Sequence, residues 1–474
     1  MARNFKRIEF GFADAETESA DFPDLLRKGY LDQTGAVEAA LDKNTFLFLG
    51  FKGAGKTSLF EHLKLAHNDS RHMITPISLG EFSYRSLGKM IEGQTELESR
   101  LPHAWEYLML IYVLRSLEKD EGKVVSPDSR FDEVLSHLRN CGIFPINKIN
   151  QIVTKSATRK FKGGIPQIMG VAYESTTGGL QSDIMFLIEY LKELVTDIQT
   201  ETKHYLLIDG LDDVLNNDDK QYKALVALIN KAKTLNSFFR STGLPVKIIV
   251  FCRTDIFDRL PDPNKNKIKR DLSYDFQWFD ESIVSDPMSN NLVLLANLRA
   301  RLAYPEEPEL DIFKEFFPRN YGGEPTVKVL LDYTRHIPRD FLQLLKSVQK
   351  YARTTITSET LESGIKDYSK VYFLPELRDE LTGYCSQDDI DDFISLLSIY
   401  HKQDFKISDL RAVAEQSGTG RDLNIEQILR ILFDCSGIGL VVNDMINLKY
   451  RNPYLAFNPE AKMTLHKALW RAIR

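Results

Sequence analysis

Residues Thr45-Phe46-Leu47-Phe48-Leu49-Gly50-Phe51-Lys52-Gly53-Ala54-Gly55-Lys56-Thr57 decide how this chain is read. An apolar run leads into a glycine, as in a strand buried on both faces of a parallel sheet. The residues from Gly50 to Thr57 then fit G-x-x-x-x-G-K-[ST], the phosphate-cradling P-loop pattern.

Each residue type in the loop has a physical reason. Gly50, Gly53 and Gly55 let the backbone turn so that successive N–H groups face phosphate oxygens. The helix expected to begin at Lys56 or Thr57 adds its positive end. The Lys56 ammonium is expected on the β- and γ-phosphates, and the Thr57 hydroxyl on Mg²⁺, which keeps waters and takes few protein ligands. Ala54 within the loop and Ser58 just after it complete the expected nucleotide contacts.

Working outward, two more buried strands are expected, His204–Asp209 and Val246–Cys252, with helices over about 183–200 and 221–239. Strands alternating with helices predict an α/β fold, a P-loop NTPase whose parallel sheet is flanked by helices. After residue 290 the strand signal fades. Residues 291–378 read as a helical lid. Residues 379–474 read as three short amphipathic helices (388–400, 406–416, 424–435) and a hairpin turning at Asn443-Asp444, which is winged-helix order. The expected organisation is an N-terminal arm at 1–40, a core at 41–290 with a helical insertion at about 81–180, the lid, and a winged-helix-like domain. The glycine-rich stretch 163–180 is expected to be a hairpin or loop.

The strand ends carry the remaining candidate chemistry. Asp209 closes the second strand in Leu206-Leu207-Ile208-Asp209-Gly210-Leu211-Asp212-Asp213 and is expected to serve the Mg²⁺ from behind its inner ligands or through a water. Many P-loop ATPases place a glutamate base next, where this chain has Gly210. Asp212 and Asp213 are the nearest groups to polarise a water; the alternative is that both cap the following helix. Arg253 follows the third strand and is expected to sense the γ-phosphate, unless it pairs with Asp255 or Asp258. His336-Ile337-Pro338-Arg339-Asp340 opens a lid helix, with Pro338 suited to the first turn. Arg339 or His336 there is expected to close over the nucleotide, unless the segment is an ordinary helix start.

Bulk properties exclude several classes. With 61 Lys+Arg against 67 Asp+Glu the net charge is −6, so the whole chain makes no electrostatic case for nucleic acid or an anionic membrane. The longest apolar run, Tyr107 to Leu114, is far short of the roughly 20 residues of a membrane span and is expected to be a buried helix. The N-terminus lacks the apolar stretch of a secretory signal, so a cytoplasmic location is expected. Cys141, Cys252, Cys385 and Cys435 have no paired spacing and read as reduced core thiols. HxxxH and CxxC metal spacings are absent from the sequence. Two basic runs stand out, Lys155 to Lys162 and Lys265 to Arg270, the second expected on a surface loop.

Together these elements resemble the STAND class of signal-transduction ATPases. Asp209-Gly210-Leu211-Asp212-Asp213 is similar to the NACHT-type Walker B pattern, with Asp213 where that pattern has glutamate. Cys252-Arg253-Thr254-Asp255 resembles the sensor arginine of the class. Pro338-Arg339-Asp340 is similar to a lid motif of bacterial KAP-type ATPases. Ile438 through Trp470 looks like the winged-helix end of bacterial ATPases linked to phage defence. The resemblance implies an ATP- and Mg²⁺-dependent switch of low turnover that forms homo-oligomers or licenses a separate effector protein, in anti-phage defence or stress signalling. Two other readings stand beside it. One is a DNA-binding loader or motor of the origin-recognition kind, disfavoured because residues 379–474 hold 11 Lys+Arg against 14 Asp+Glu, a net of −3. The other is a nucleotide-dependent scaffold without useful hydrolysis, suggested by Gly210.

Overall fold

A computed structural model describes residues 3–32, 35–80, 87, 97–144, 149–156, 180–211, 219–281, 286–420 and 422–474. They fall into two compact units. One comprises residues 34–49 and 59–275; the other comprises 1–33, 50–58 and 276–474.

The unit of residues 34–49 and 59–275 is built on a five-stranded parallel sheet. Its strands are β1 (Leu47–Gly50), β2 (His72–Ser78), β3 (Lys203–Asp209), β4 (Val246–Arg253) and β5 (Ser273–Asp275). They lie in the order β2-β3-β4-β1-β5. The register runs from His72 opposite Lys203 to Ser78 opposite Asp209, with His204 opposite Val246 and Leu47 opposite Ser273. The central strands are the apolar runs read from the sequence, and their residues are almost wholly buried. Helices flank the sheet. Leu97–Glu118 carries the Tyr107–Leu114 run, buried throughout, and Trp105 Nε1 donates to the Ala224 carbonyl of helix Asp219–Thr242 at 2.9 Å. No helix among the described residues is long and apolar enough to cross a membrane.

One buried polar cluster in this unit is satisfied from within. His204 is fully buried; its Nδ1 lies 2.8 Å from Ser116 Oγ and its Nε2 3.2 Å from Asp120 Oδ2. Asp120 also accepts from Thr200 and Thr202 hydroxyls and from the Gly122 N–H. The run Lys265–Arg270, expected on a surface loop, instead forms helix Lys265–Leu272. Ile268 anchors it in the core, and Lys265 and Lys269 bond back to Asp258.

The second unit is largely helical. Its core includes the N-terminal residues: Phe5 packs against Phe316 and Phe317, and Gln349 Nε2 donates to the carbonyls of Phe5 and Ile8. Arg299 and Glu18 form a buried ion pair at 2.7 Å. The tail has helices Gln387–Tyr400, Ile407–Ser417 and Ile425–Asp434. A four-stranded sheet accompanies them, of β6 (Asp404–Phe405), which lies between the first two helices, and β7 (Ile438–Val442), β8 (Met445–Asn447) and β9 (Lys462–Leu465), which follow the third, in the order β6-β9-β7-β8. The β7–β8 turn is Asn443-Asp444, both left-handed at φ 50° and 59°, as a two-residue hairpin of matching twist requires. The tail thus has the element order of a winged helix, with β9 inserted between the first strand and the hairpin.

Candidate functional site

The phosphate loop Gly50–Ser58 groups with the helical unit rather than with the sheet it leaves. Gly53 and Gly55 sit at φ 81° and 101°, conformations that side-chain-bearing residues rarely adopt. A Cβ at Gly53 would stand 3.0 Å from Ile337 Cδ1 and 3.1 Å from Arg339 Cβ, whereas one at Gly55 would meet nothing within 4 Å. Helix Lys56–Ala66 starts at the expected lysine. Lys56 is 5% exposed, and its ammonium donates to the Gly50 and Phe51 carbonyls at 3.1 and 3.3 Å. Ala54 is buried; Thr57 and Ser58 are half-buried in the first turn of the helix.

The loop is held by residues distant in sequence. Trp278 Nε1 donates to the Ala54 carbonyl at 2.8 Å, and Phe276 lies where a Gly50 side chain would go. Helix Pro338–Tyr351 begins with proline at its first position, and the Arg339 N–H reaches the Gly53 carbonyl at 3.4 Å. Glu376, from helix Leu374–Thr382, faces both Lys52 (3.5 Å) and Arg339 (3.7 Å) through its Oε2 atom. The structure therefore brings Arg339 to the loop. It does not do so with His336, which is buried at φ 51° against Tyr450 and Phe279. Burial pushes the His336 imidazole down to about 3.

The geometry of the lid helix is fixed by a buried ion pair. Arg335 and Asp340 meet through two side-chain bonds of 2.8 Å, the Arg335 N–H adds a third at 3.1 Å, and Tyr372 donates to Asp340 at 3.1 Å. Asp340 is fully buried; burial opposes its charge, and the Arg335 guanidinium outweighs burial to hold its carboxyl below the usual carboxylate range. This pair sets the first turn that presents Arg339.

On the sheet, β1, β3 and β4 run parallel and end at one edge with Gly50, Asp209 and Arg253. Asp209 is 8% exposed, and its carbonyl accepts from the Leu79 N–H at 2.8 Å. Gly210 sits at φ 82°, and a Cβ there would stand 2.7 Å from the Gly80 nitrogen. A glutamate base directly after Asp209 is excluded by the backbone itself. Arg253 makes the pairing weighed from the sequence, a bidentate contact to Asp255 at 2.9 and 3.0 Å. Asp212 and Asp213 lie outside the described residues, as do residues 157–162 of the first basic run and most of the glycine-rich stretch.

The donor set fits a magnesium nucleotide in kind. The Thr57 hydroxyl at the start of helix Lys56–Ala66 is a hard oxygen donor, and open space at Gly55 leaves the turn accessible. Among the described residues no group of three or more His, Cys, Asp or Glu forms a separate metal site. Trp278, Phe276, Lys52 and Glu376 escaped the sequence reading because no local pattern marks them. Lys52 alone had a signal, as a lysine inside the loop motif.

Residues 290–374 match the family model described as the FunZ-associated C-terminal helical domain, a span that includes Arg339. A crystal structure of Cdc6p from Pyrobaculum aerophilum aligns with 98% of this chain and 95% of that chain, at 13% identity and a TM-score of 0.34. A structure of Drosophila ORC bound to DNA aligns with 95% of this chain and 94% of that one, at 13% identity and a TM-score of 0.28. No curated protein matches this chain by sequence. Sheet, glycine turn and following helix are together the fold of a P-loop NTPase.

Proposed function

We propose that this chain is an ATP-binding, slowly hydrolysing switch, in which a Mg²⁺-bound triphosphate at Gly50–Ser58 biases the lid helix. The observation that carries the reading is the seating of Arg339 against Gly53. A ligand gripped by the loop acts on residues that already touch the first turn of helix Pro338–Tyr351, and differential contacts passed on in that way shift populations. In this reading Lys56 and the loop amides of Gly50, Gly53, Ala54 and Gly55 bind the phosphates, with Ser58 beside them. Thr57 and Asp209 hold Mg²⁺, Asp212 or Asp213 orients water, and Arg253 and Arg339 answer to the terminal phosphate. The working divisions are a core at 41–290, a lid at 291–378 and a winged-helix-like domain at 379–474. A cytoplasmic STAND-like switch acting through self-assembly or a separate effector protein, in phage defence or stress signalling, follows from the resemblance of the motifs.

The DNA-loader reading gains no support from the tail. Arg430, on the third helix, pairs with Glu426 and lies over the Phe457 ring, and the hairpin tip carries Asp444. Equilibrium binding of Mg–ATP to wild type and Lys56→Ala, with phosphate release from wild type, Asp209→Ala and Asp213→Ala, tests the switch. Uptake lost in Lys56→Ala and slow release lost in Asp209→Ala are expected. A wild type that takes up no nucleoside triphosphate ends the proposal, and one that binds but releases phosphate no faster than Lys56→Ala is a scaffold instead.

A further inference from the structure

We propose that Glu376 is a competing anion at the phosphate loop, one that a bound triphosphate must displace from Lys52 and Arg339. This rests on the nucleotide reading above and adds a residue that sets affinity and phosphate-number preference.

The geometry is specific. A single oxygen, Glu376 Oε2, lies 3.5 Å from Lys52 Nζ and 3.7 Å from Arg339 Nη1. Lys52 belongs to the loop itself, and Arg339 touches the loop at Gly53. All three side chains are shielded, at 26%, 25% and 16% exposure for Lys52, Arg339 and Glu376. The Oε2 atom is cut off from solvent yet accepts no hydrogen bond. A positioning carboxylate holds its cation in short, directed bonds, as Asp340 holds Arg335 at 2.8 Å five residues along the same segment. Glu376 does the reverse: it attracts both cations by charge at distances beyond hydrogen bonding. Because no hydrogen bond fixes Glu376 Oε2 to either cation, Lys52 and Arg339 are free to turn to a better-matched anion. A phosphate supplies more charge than a carboxylate and more acceptor oxygens, which suits a planar guanidinium and a lysine together.

The consequence is a threshold. The loop amides and Lys56 embrace the inner phosphates, so the rim cations Lys52 and Arg339 are left for the terminal one. A ligand that reaches them must replace Glu376; a shorter one leaves that contact intact. Glu376 therefore weakens triphosphate binding more than diphosphate binding.

Isothermal titration of the full chain with Mg–ATP and Mg–ADP tests this in wild type, Glu376→Gln, Arg339→Ala and the double variant. Glu376→Gln keeps shape and removes charge. It is expected to tighten Mg–ATP by about three- to tenfold and Mg–ADP by less, and the gain is expected to shrink in the Arg339→Ala background. Unchanged or weaker Mg–ATP binding in a Glu376→Gln protein with the wild-type melting temperature overturns the proposal, as does an undiminished gain without Arg339. Should Glu376→Gln melt early, Glu376→Asp, whose shorter reach loosens the same contact, is expected to act in the same direction, and weaker binding there counts against the proposal. A wild type that binds neither nucleotide removes the switch reading itself, a distinct result.

Discussion

Arg339 touches Gly53 twice, by its backbone N–H to the glycine carbonyl at 3.4 Å and by its Cβ in the space a side chain at Gly53 would need. Two residues 286 positions apart thus share one small volume, and that contact ties the phosphate loop to the lid helix. Gly53→Ala is expected to disturb both, through left-handed strain and through collision with Ile337 and Arg339. Loss of Mg–ATP uptake together with a lowered melting temperature is the expected outcome.

Trp278 should report on the loop. Its indole N–H bonds to the Ala54 carbonyl at 2.8 Å, while Trp105 is buried and bonded to Ala224. Nucleotide is expected to change intrinsic tryptophan fluorescence, and Trp278→Phe to abolish the change at a stability cost of about 1 kcal/mol for the lost hydrogen bond. A signal that survives Trp278→Phe would contradict the assignment.

Asp340→Asn strands the Arg335 charge in a fully buried setting. Breaking one side of such a pair costs about 3–5 kcal/mol, so a large drop in urea midpoint is expected. Restoring it with a packed apolar pair at both positions should recover much of the loss.

Acid should destabilise the helical unit through two histidines. Burial brings His466 down to about 4 and His336 to about 3, against 6.5 for an ordinary imidazole. His466 Nε2–H donates to the Thr334 carbonyl while its Nδ1 accepts from the Ala468 N–H, which fixes the neutral form. Between roughly pH 6.5 and these lowered values the unfolded chain binds more protons than the folded one, so stability present above pH 6.5 is lost as pH falls through that window. Urea midpoints measured at pH 7.5 and 5 should fall in wild type and fall less in His466→Gln.

Ser116, His204 and Asp120 have the contacts of a nucleophilic triad but no access to substrate, for all three are buried. A fluorophosphonate probe should leave Ser116 unlabelled, and Ser116→Ala should cost about 1 kcal/mol of stability while leaving nucleotide uptake unchanged.

How much of this was legible in the sequence depended on burial. Strands β1, β3 and β4 are sandwiched and read as apolar runs. Strand β2, His-Met-Ile-Thr-Pro-Ile-Ser, lies at the sheet edge with mixed burial and a proline, and three-residue β5 is too short to show a period. Helix Lys265–Leu272 buries one residue, Ile268, so its charges masked it. The loop and Asp209 announce themselves because phosphate chemistry constrains neighbouring positions. Glu376 and Trp278 do not, since only the folded chain brings them to Lys52 and Ala54 respectively.

The grouping of Gly50–Ser58 with residues 276–474 has a genetic consequence. Lesions in the loop should find compensating changes around Ile337, Arg339 and Glu376, far downstream in the gene, more readily than in the strand that immediately precedes them. A suppressor screen would then map the neighbourhood of the loop, and inheritance would follow the packing rather than the order of the codons.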